Sequence, residues 1–162
     1  MLGNKRRGFT LIELLLVVTI ISLLAVAVFV ALNPAQRLKD TKNARRTSDV
    51  DTILSAIHQS IIDNKGNYPT KMPAAGTEVQ LGTAVAGCAI ATGGCAVAAT
   101  ACVDLMLATD ARNLTKYLKE LPLDPDGTVA SNMSGYSVVV DTNGIVTVRA
   151  CGAEGTTVYA SR

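Results

Sequence analysis

One carboxylate stands alone in a long apolar run. Phe9–Leu32 reads FTLIELLLVVTIISLLAVAVFVAL, and Glu13 is its one charged residue. A carboxylate placed in hydrocarbon costs a few kcal/mol at mid-bilayer, about 3 on insertion scales, so such a group is expected to face a partner. Four cysteines follow in the C-terminal half: Cys88, Cys95, Cys102 and Cys151. Their C-x6-C-x6-C spacing does not fit the common zinc ribbons, and His58 lies far away in sequence, so disulfides in a secreted chain are the expected chemistry. Four cysteines allow three pairings and the sequence does not choose; Cys88 with Cys95 and Cys102 with Cys151 is the expectation carried forward. His58 is the single histidine. With no second histidine and no nucleophile motif, it reads as a partly exposed helix residue. Gly93-Gly94-Cys95 suggests a nucleophile turn but lacks a base. Asp124, Asp126 and Asp141 are too scattered for the six or more oxygens calcium prefers, so no metal is expected. P-loop, Rossmann, H-E-x-x-H and G-x-S-x-G patterns are missing, and no catalytic residue or cofactor is expected.

The element that must position Glu13 is the apolar run itself. As a helix it extends roughly 36 Å at about 1.5 Å per residue, enough for a hydrocarbon core of about 30 Å. It is too long for an ordinary secretory signal, whose apolar region is about 7–15 residues. Lys5, Arg6 and Arg7 precede it and fit a cytoplasmic basic end, but Arg37, Lys39, Lys42, Arg45 and Arg46 follow it, so charge leaves the orientation open. Net charge is +2, and the three leader cations supply more than that sum. The rest is near neutral, which gives no support for nucleic-acid binding. Composition is 49% hydrophobic and only 4% aromatic, so outside the N-terminal block the core is modest. A cut after Gly8 would make Phe9 a free terminus, whose amine and the Glu13 carboxylate neutralise each other within one chain or between neighbours.

Beyond the run, Asn33-Pro34 predicts a kink at Pro34. Val50, Ile53, Leu54, Ile57 and Ile61 then recur at helical spacing, with Asp49, Asp51, Ser55, Gln59 and Asp63 opposite. The helical pattern over residues 9–64 would reach roughly 84 Å unbroken. The preferred reading of the basic run at residues 37–46 is a solvated face paired with Asp40, Asp49 and Asp51; the rival is contact with a neighbouring subunit, lipid head groups or DNA. Residues 74–103 read as a long surface loop with one short strand, held by a disulfide. Asp110 is expected to cap a helix over residues 111–121 with Leu114, Tyr117, Leu118 and Leu121 on its apolar face. Pro122 and Pro125 stop it, and Asp126-Gly127 marks a turn. GYSVVV-DTNG-IVTVRA reads as a β-hairpin with Asn143-Gly144 in its turn, and GTTVYAS as a further strand.

KRRGFTLIELLLVV resembles the class III signal of type IV prepilins and type II secretion pseudopilins. The resemblance implies cleavage between Gly8 and Phe9 by a prepilin peptidase, N-methylation of Phe9, and a role in assembly for Glu13. ARRTSDVDTILSAIHQSIIDNKGNYP is similar to the helix-to-loop segment of pilin-like proteins, and LPLDP to the segment before the final strands of major pseudopilins. In those proteins a C-terminal acidic loop can bind calcium, a pattern incomplete here. The expected fold is α+β, a pilin fold: a long kinked N-terminal helix on a small antiparallel sheet. Its parts are a leader at 1–8, a transmembrane or filament-core helix at 9–32 and a headpiece at 33–162. The implied function is a structural, non-enzymatic subunit of a type IV pilus or pilus-like filament. The implied partners are copies of itself, a prepilin peptidase, an assembly ATPase and a platform membrane protein. The implied location is the bacterial inner membrane before assembly, then an extracellular pilus or a periplasm-spanning pseudopilus. A type II secretion pseudopilin, a competence pilin for DNA uptake and an unprocessed single-pass surface protein are the alternatives.

Overall fold

The computed structural model describes residues 8–126 and 132–162. Residues 1–7 of the expected leader and Gly127 of the expected turn lie outside them. The elements run α1 (Leu11–Leu32), α2 (Pro34–Asp63), β1 (Glu78–Gly82), β2 (Met133–Val140), β3 (Val146–Ala150) and β4 (Val158–Ser161). The four strands form one antiparallel sheet in the order β1-β2-β3-β4. A long N-terminal helix, broken at one residue, and a small antiparallel sheet make the α+β arrangement expected. The chain divides into two units, one ending at Leu38 and one covering Lys39–Arg162.

In the first unit, α1 buries none of its residues. Asn33, which follows it, takes φ 38° and ψ 69°, in the left-handed region. Asparagine is among the few non-glycine residues that visit this region readily. The next helix opens on Pro34, whose fixed φ and missing amide suit a first helical position. The break therefore sits on Asn33, with Pro34 beginning α2 rather than interrupting it.

In the second unit, the helical periodicity becomes a buried face. Val50, Ile53, Leu54 and Ile57 pack in one cluster with Val79, Leu81, Tyr136, Val138, Val146 and Val148 of the sheet. Burial of such side chains stabilises by about 1.5–3 kcal/mol each before entropy is set against it. Tyr136 anchors this contact: fully buried, it donates its hydroxyl to Asp49 of α2 at 2.7 Å. The opposite face of β2 is covered at Ser137, whose Oγ lies 3.2 Å from Cys95 Sγ. The α2 helix ends in a Schellman arrangement, with the Gly66 amide donating to Ile61 O and the Lys65 amide to Ile62 O. The hairpin turn forms where the sequence places it: Asp141 Oδ1 accepts from the amides of Asn143 and Ile145, and Gly144 takes φ 84°.

Two expectations about the loops need correction. The cysteines pair Cys88 with Cys102 and Cys95 with Cys151. The cause is the path of the loop. The Cys88 amide donates to Thr100 O and Ile90 bridges Val97, so the chain doubles back and sets Cys88 beside Cys102. Cys95 follows the turn at Gly93-Gly94, and Gly93 passes so close to Cys151 O that a Cβ there would sit 2.5 Å from it. The second correction concerns residues 111–121, which form turns and no helix. Asn113 Oδ1 accepts the Thr115 amide, the local side-chain bond that competes with helix. The amide of buried Leu114 goes to Leu105 O, while Lys116 and the Tyr117 hydroxyl both reach Asp63. These outward anchors outweigh one short apolar stripe.

Candidate functional site

The N-terminal site is built on α1. Thr10 is the N-cap, and with Glu13 it forms a complete capping box. Glu13 Oε2 accepts from the Thr10 amide at 2.9 Å and from its hydroxyl at 2.8 Å. Thr10 Oγ1 in turn accepts the Glu13 amide at 3.3 Å. Two orphan amides of the helix start are thus satisfied reciprocally, and the carboxylate sits at the positive end of the helix dipole. Thr10 was missed by the sequence reading, although T-x-x-E before an apolar run is the local signal that finds it.

The rest of α1 offers no polar side chain in need of a partner. Thr19 Oγ1 donates to Leu16 O and Ser22 Oγ to Val18 O, each at 2.8 Å. An 18-residue window here reaches a mean hydropathy of 3.1, and the helix is long and apolar enough to cross a membrane. Its side chains are exposed all round, from Leu11 to Leu32. Gly8 and Phe9 lie before the cap in extended chain; Phe9 is 86% exposed, and nothing stands within 4 Å of where a Gly8 Cβ would be. The Gly8–Phe9 bond therefore lies in exposed chain just before the helix whose first turn carries Glu13.

The other singled-out residues have structural surroundings. The basic run departs from the solvated face expected of it, because Lys39, Lys42 and Arg46 pair with acids of distant loops. Arg46 is fully buried and forks onto Asp124, with Nε and Nη2 each 2.8 Å from a carboxylate oxygen. Its Nη2 also meets Asp126 at 2.7 Å, Lys42 pairs with Asp126, and Lys39 pairs with Glu154 at 3.2 Å. Of the sequence-nearby acids expected to pair with this run, Asp49 meets Arg45 at 3.7 Å. The Asp126 carboxyl is held below its usual range, first by Lys42 and then by Arg46. The carboxylates considered for a metal are therefore engaged by cations at 124 and 126 and by backbone amides at 141. His58 is half-buried, its Nε2 has no hydrogen-bond partner, and burial followed by the charge of Arg162 pushes its pKa down.

Residues 3–29 match the family model described as the prokaryotic N-terminal methylation motif, the type IV pilin and pseudopilin signal. The match takes in the basic residues, Gly8, Phe9, the Thr10–Glu13 box and most of α1. No curated protein and no solved structure matches the chain.

Proposed function

We propose that this chain is a structural subunit of a type IV pilus or pilus-like filament, made as an inner-membrane precursor and polymerised through α1. The observation that carries the reading is the coincidence, in one helix end, of the methylation motif, an exposed Gly8-Phe9 junction and a single intramembrane-type carboxylate at Glu13. The family that carries this motif is structural rather than enzymatic.

The steps follow from the chemistry of that end. A prepilin peptidase cuts between Gly8 and Phe9 and methylates the new Phe9 amine, which stays cationic. The helix then leaves the bilayer laterally for a bundle of like helices. Apolar side chains exchange lipid for other apolar side chains, with little net change in their surroundings. Glu13 exchanges an aqueous margin for a dry interior, where an unpaired charge is costly and a neighbour's Phe9 amine compensates it. An assembly ATPase and a platform membrane protein supply the drive. The destination is an extracellular pilus or a periplasm-spanning pseudopilus.

The test is intact-mass and N-terminal peptide analysis of the protein from native membranes and from sheared surface filaments. A chain beginning at methylated Phe9 in the sheared fraction is the expected result. A processed chain confined to the cell would move the reading to a secretion pseudopilin. A chain that keeps residues 1–8 would return it to a plain membrane anchor.

A further inference from the structure

We propose that the Cys95–Cys151 disulfide is a redox-gated latch that fixes residues 39–46, the first turns of α2 within the second unit, although neither cysteine lies on that helix. These turns are held by two loops. One supplies Asp124 and Asp126 to Arg46 and Lys42. The other is the 151–155 loop. Its Glu154 pairs with Lys39, its Glu154 O accepts from Asn43 Nδ2 at 2.9 Å, and its Glu154 amide donates to Asn43 Oδ1 at 3.3 Å. Gly152 lies directly under the buried ion pair: a Cβ there would sit 2.6 Å from Asp124 Oδ2 and 2.8 Å from Arg46 Nη2. The path of residues 151–154 therefore sets the floor on which Arg46 and Asp124 meet.

That path is weakly determined by its own side chains. Gly152-Ala153-Glu154-Gly155 offers no large apolar anchor between the end of β3 and the start of β4. Its fixed point is Cys151, whose amide donates to Gly135 O of β2 at 2.9 Å, and which is tied covalently to Cys95 and gripped by the same turn, where Thr92 Oγ1 donates to Cys151 O at 2.8 Å. The second disulfide is placed differently. The Cys88 amide donates to Thr100 O and the Cys102 amide to Ala84 O, both within their own loop. The fold thus contains its own control.

In the latching step, the Cys95 and Cys151 thiols react with an external disulfide, of a protein or small molecule. One new S–S bond forms, the external S–S bond is reduced to two thiols, and the two cysteine protons pass to those leaving sulfurs. Before it, Cys151 is held by backbone bonds alone and residues 152–155 can move off α2; after it, Asn43 and Arg46 find their partners in place. The α2 base becomes rigid only in a chain whose headpiece has met an oxidant. The latch is independent of the filament reading, because it is measured on isolated full-length protein.

The experiment is hydrogen exchange, read by mass spectrometry, on the full chain in detergent micelles. Cys95→Ala/Cys151→Ala is expected to speed exchange of the 39–46 amides about fivefold or more, at the low end of ordinary site-to-site coupling, and Cys88→Ala/Cys102→Ala to leave them unchanged. Equal effects of the two variants, or no effect of the first, overturn the latch. Coupling is reciprocal, so a second measurement stands apart from any general unfolding of a cysteine variant. Asn43→Ala in a glutathione redox buffer should shift Cys95–Cys151 about fivefold or more toward thiols and leave Cys88–Cys102 where it was. No selective shift overturns the proposal, even where the first variant exchanges rapidly throughout.

Discussion

Arg46→Met removes the cation of a pair whose two side chains are both fully shielded from solvent. Methionine fills much of the arginine stem's volume, so the main loss is charge and hydrogen bonding rather than packing. Asp124 is left buried against Gly152 with neither of its two arginine bonds. Breaking a buried pair from one side costs about 3–5 kcal/mol. For a unit the size of residues 39–162 that lowers the unfolding midpoint on the order of 10–20 °C. The companion variant is Arg46→Met/Asp124→Leu. It removes one charge of each sign and leaves Lys42 paired with Asp126. Apolar replacement of a whole buried pair is often close to neutral, so the double variant should recover most of the single variant's loss. Calorimetry of the full chain in detergent reads both. A single variant within about 1 kcal/mol of the parent would mean the pair behaves like a surface bridge. A double variant less stable than the single would place the cost in shape rather than in unbalanced charge. Either result refutes the reasoning.

Glu13→Ala should be cut at Gly8–Phe9 and methylated as the parent is, yet yield no sheared filaments above background; parental filament yield would remove the role given to the carboxylate. His58 makes the headpiece acid-sensitive in a definite window. Its folded pKa is lowered, by burial first and by Arg162 second, so the unfolded chain takes up this proton earlier as pH falls. Stability from this source is complete above about 6.5 and is lost as pH drops below it. Denaturant midpoints at about pH 7.5 and about pH 5.5 should therefore converge in His58→Gln, and an unchanged pH slope would show that another group titrates.

What could be read in the residues was whatever depends on near neighbours. The 3.6-residue recurrence of Val50, Ile53, Leu54 and Ile57 gave the buried face of α2, and Asn143-Gly144 between alternating strands gave the β2–β3 hairpin. The Thr10–Glu13 box is equally local, encoded by T-x-x-E before the apolar run, where the charge of Glu13 is the more conspicuous feature. The misread parts are settled by contacts distant in the chain. Arg46 finds Asp124 across 78 residues, and Cys95 finds Cys151 across 56. No periodicity encodes such pairs. Residues 111–121 failed as a helix for the same reason: their stripe was right, but Leu105 O takes the Leu114 amide and Asp63 draws the Lys116 and Tyr117 side chains to itself.

The placement of Glu13 changes what its charge has to overcome. The cost that marks it out belongs to a carboxylate at the centre of a bilayer. Glu13 is in the first turn of α1, and the uncharged part of the helix begins after it, at Leu14. Leu14–Leu32 extends about 28 Å, close to the whole hydrocarbon thickness, so with α1 in a bilayer Glu13 stands at the margin where head groups and water begin. There the Thr10 amide and hydroxyl, with the positive helix end, already satisfy it. The carboxylate is therefore compatible with a single chain in a membrane and needs no second subunit while it stays there. The demand for a partner arises only when the same helix end enters a bundle that excludes water, with Thr10 as its remaining donor. A charge that is tolerated at a membrane edge and intolerable alone in a bundle penalises any docking that fails to bring an amine to it. Under the filament reading proposed above, Glu13 would act on the register of packing more than on its strength. Replacing it by an apolar residue would leave the apolar attraction intact while removing the rule that one helix end must meet another.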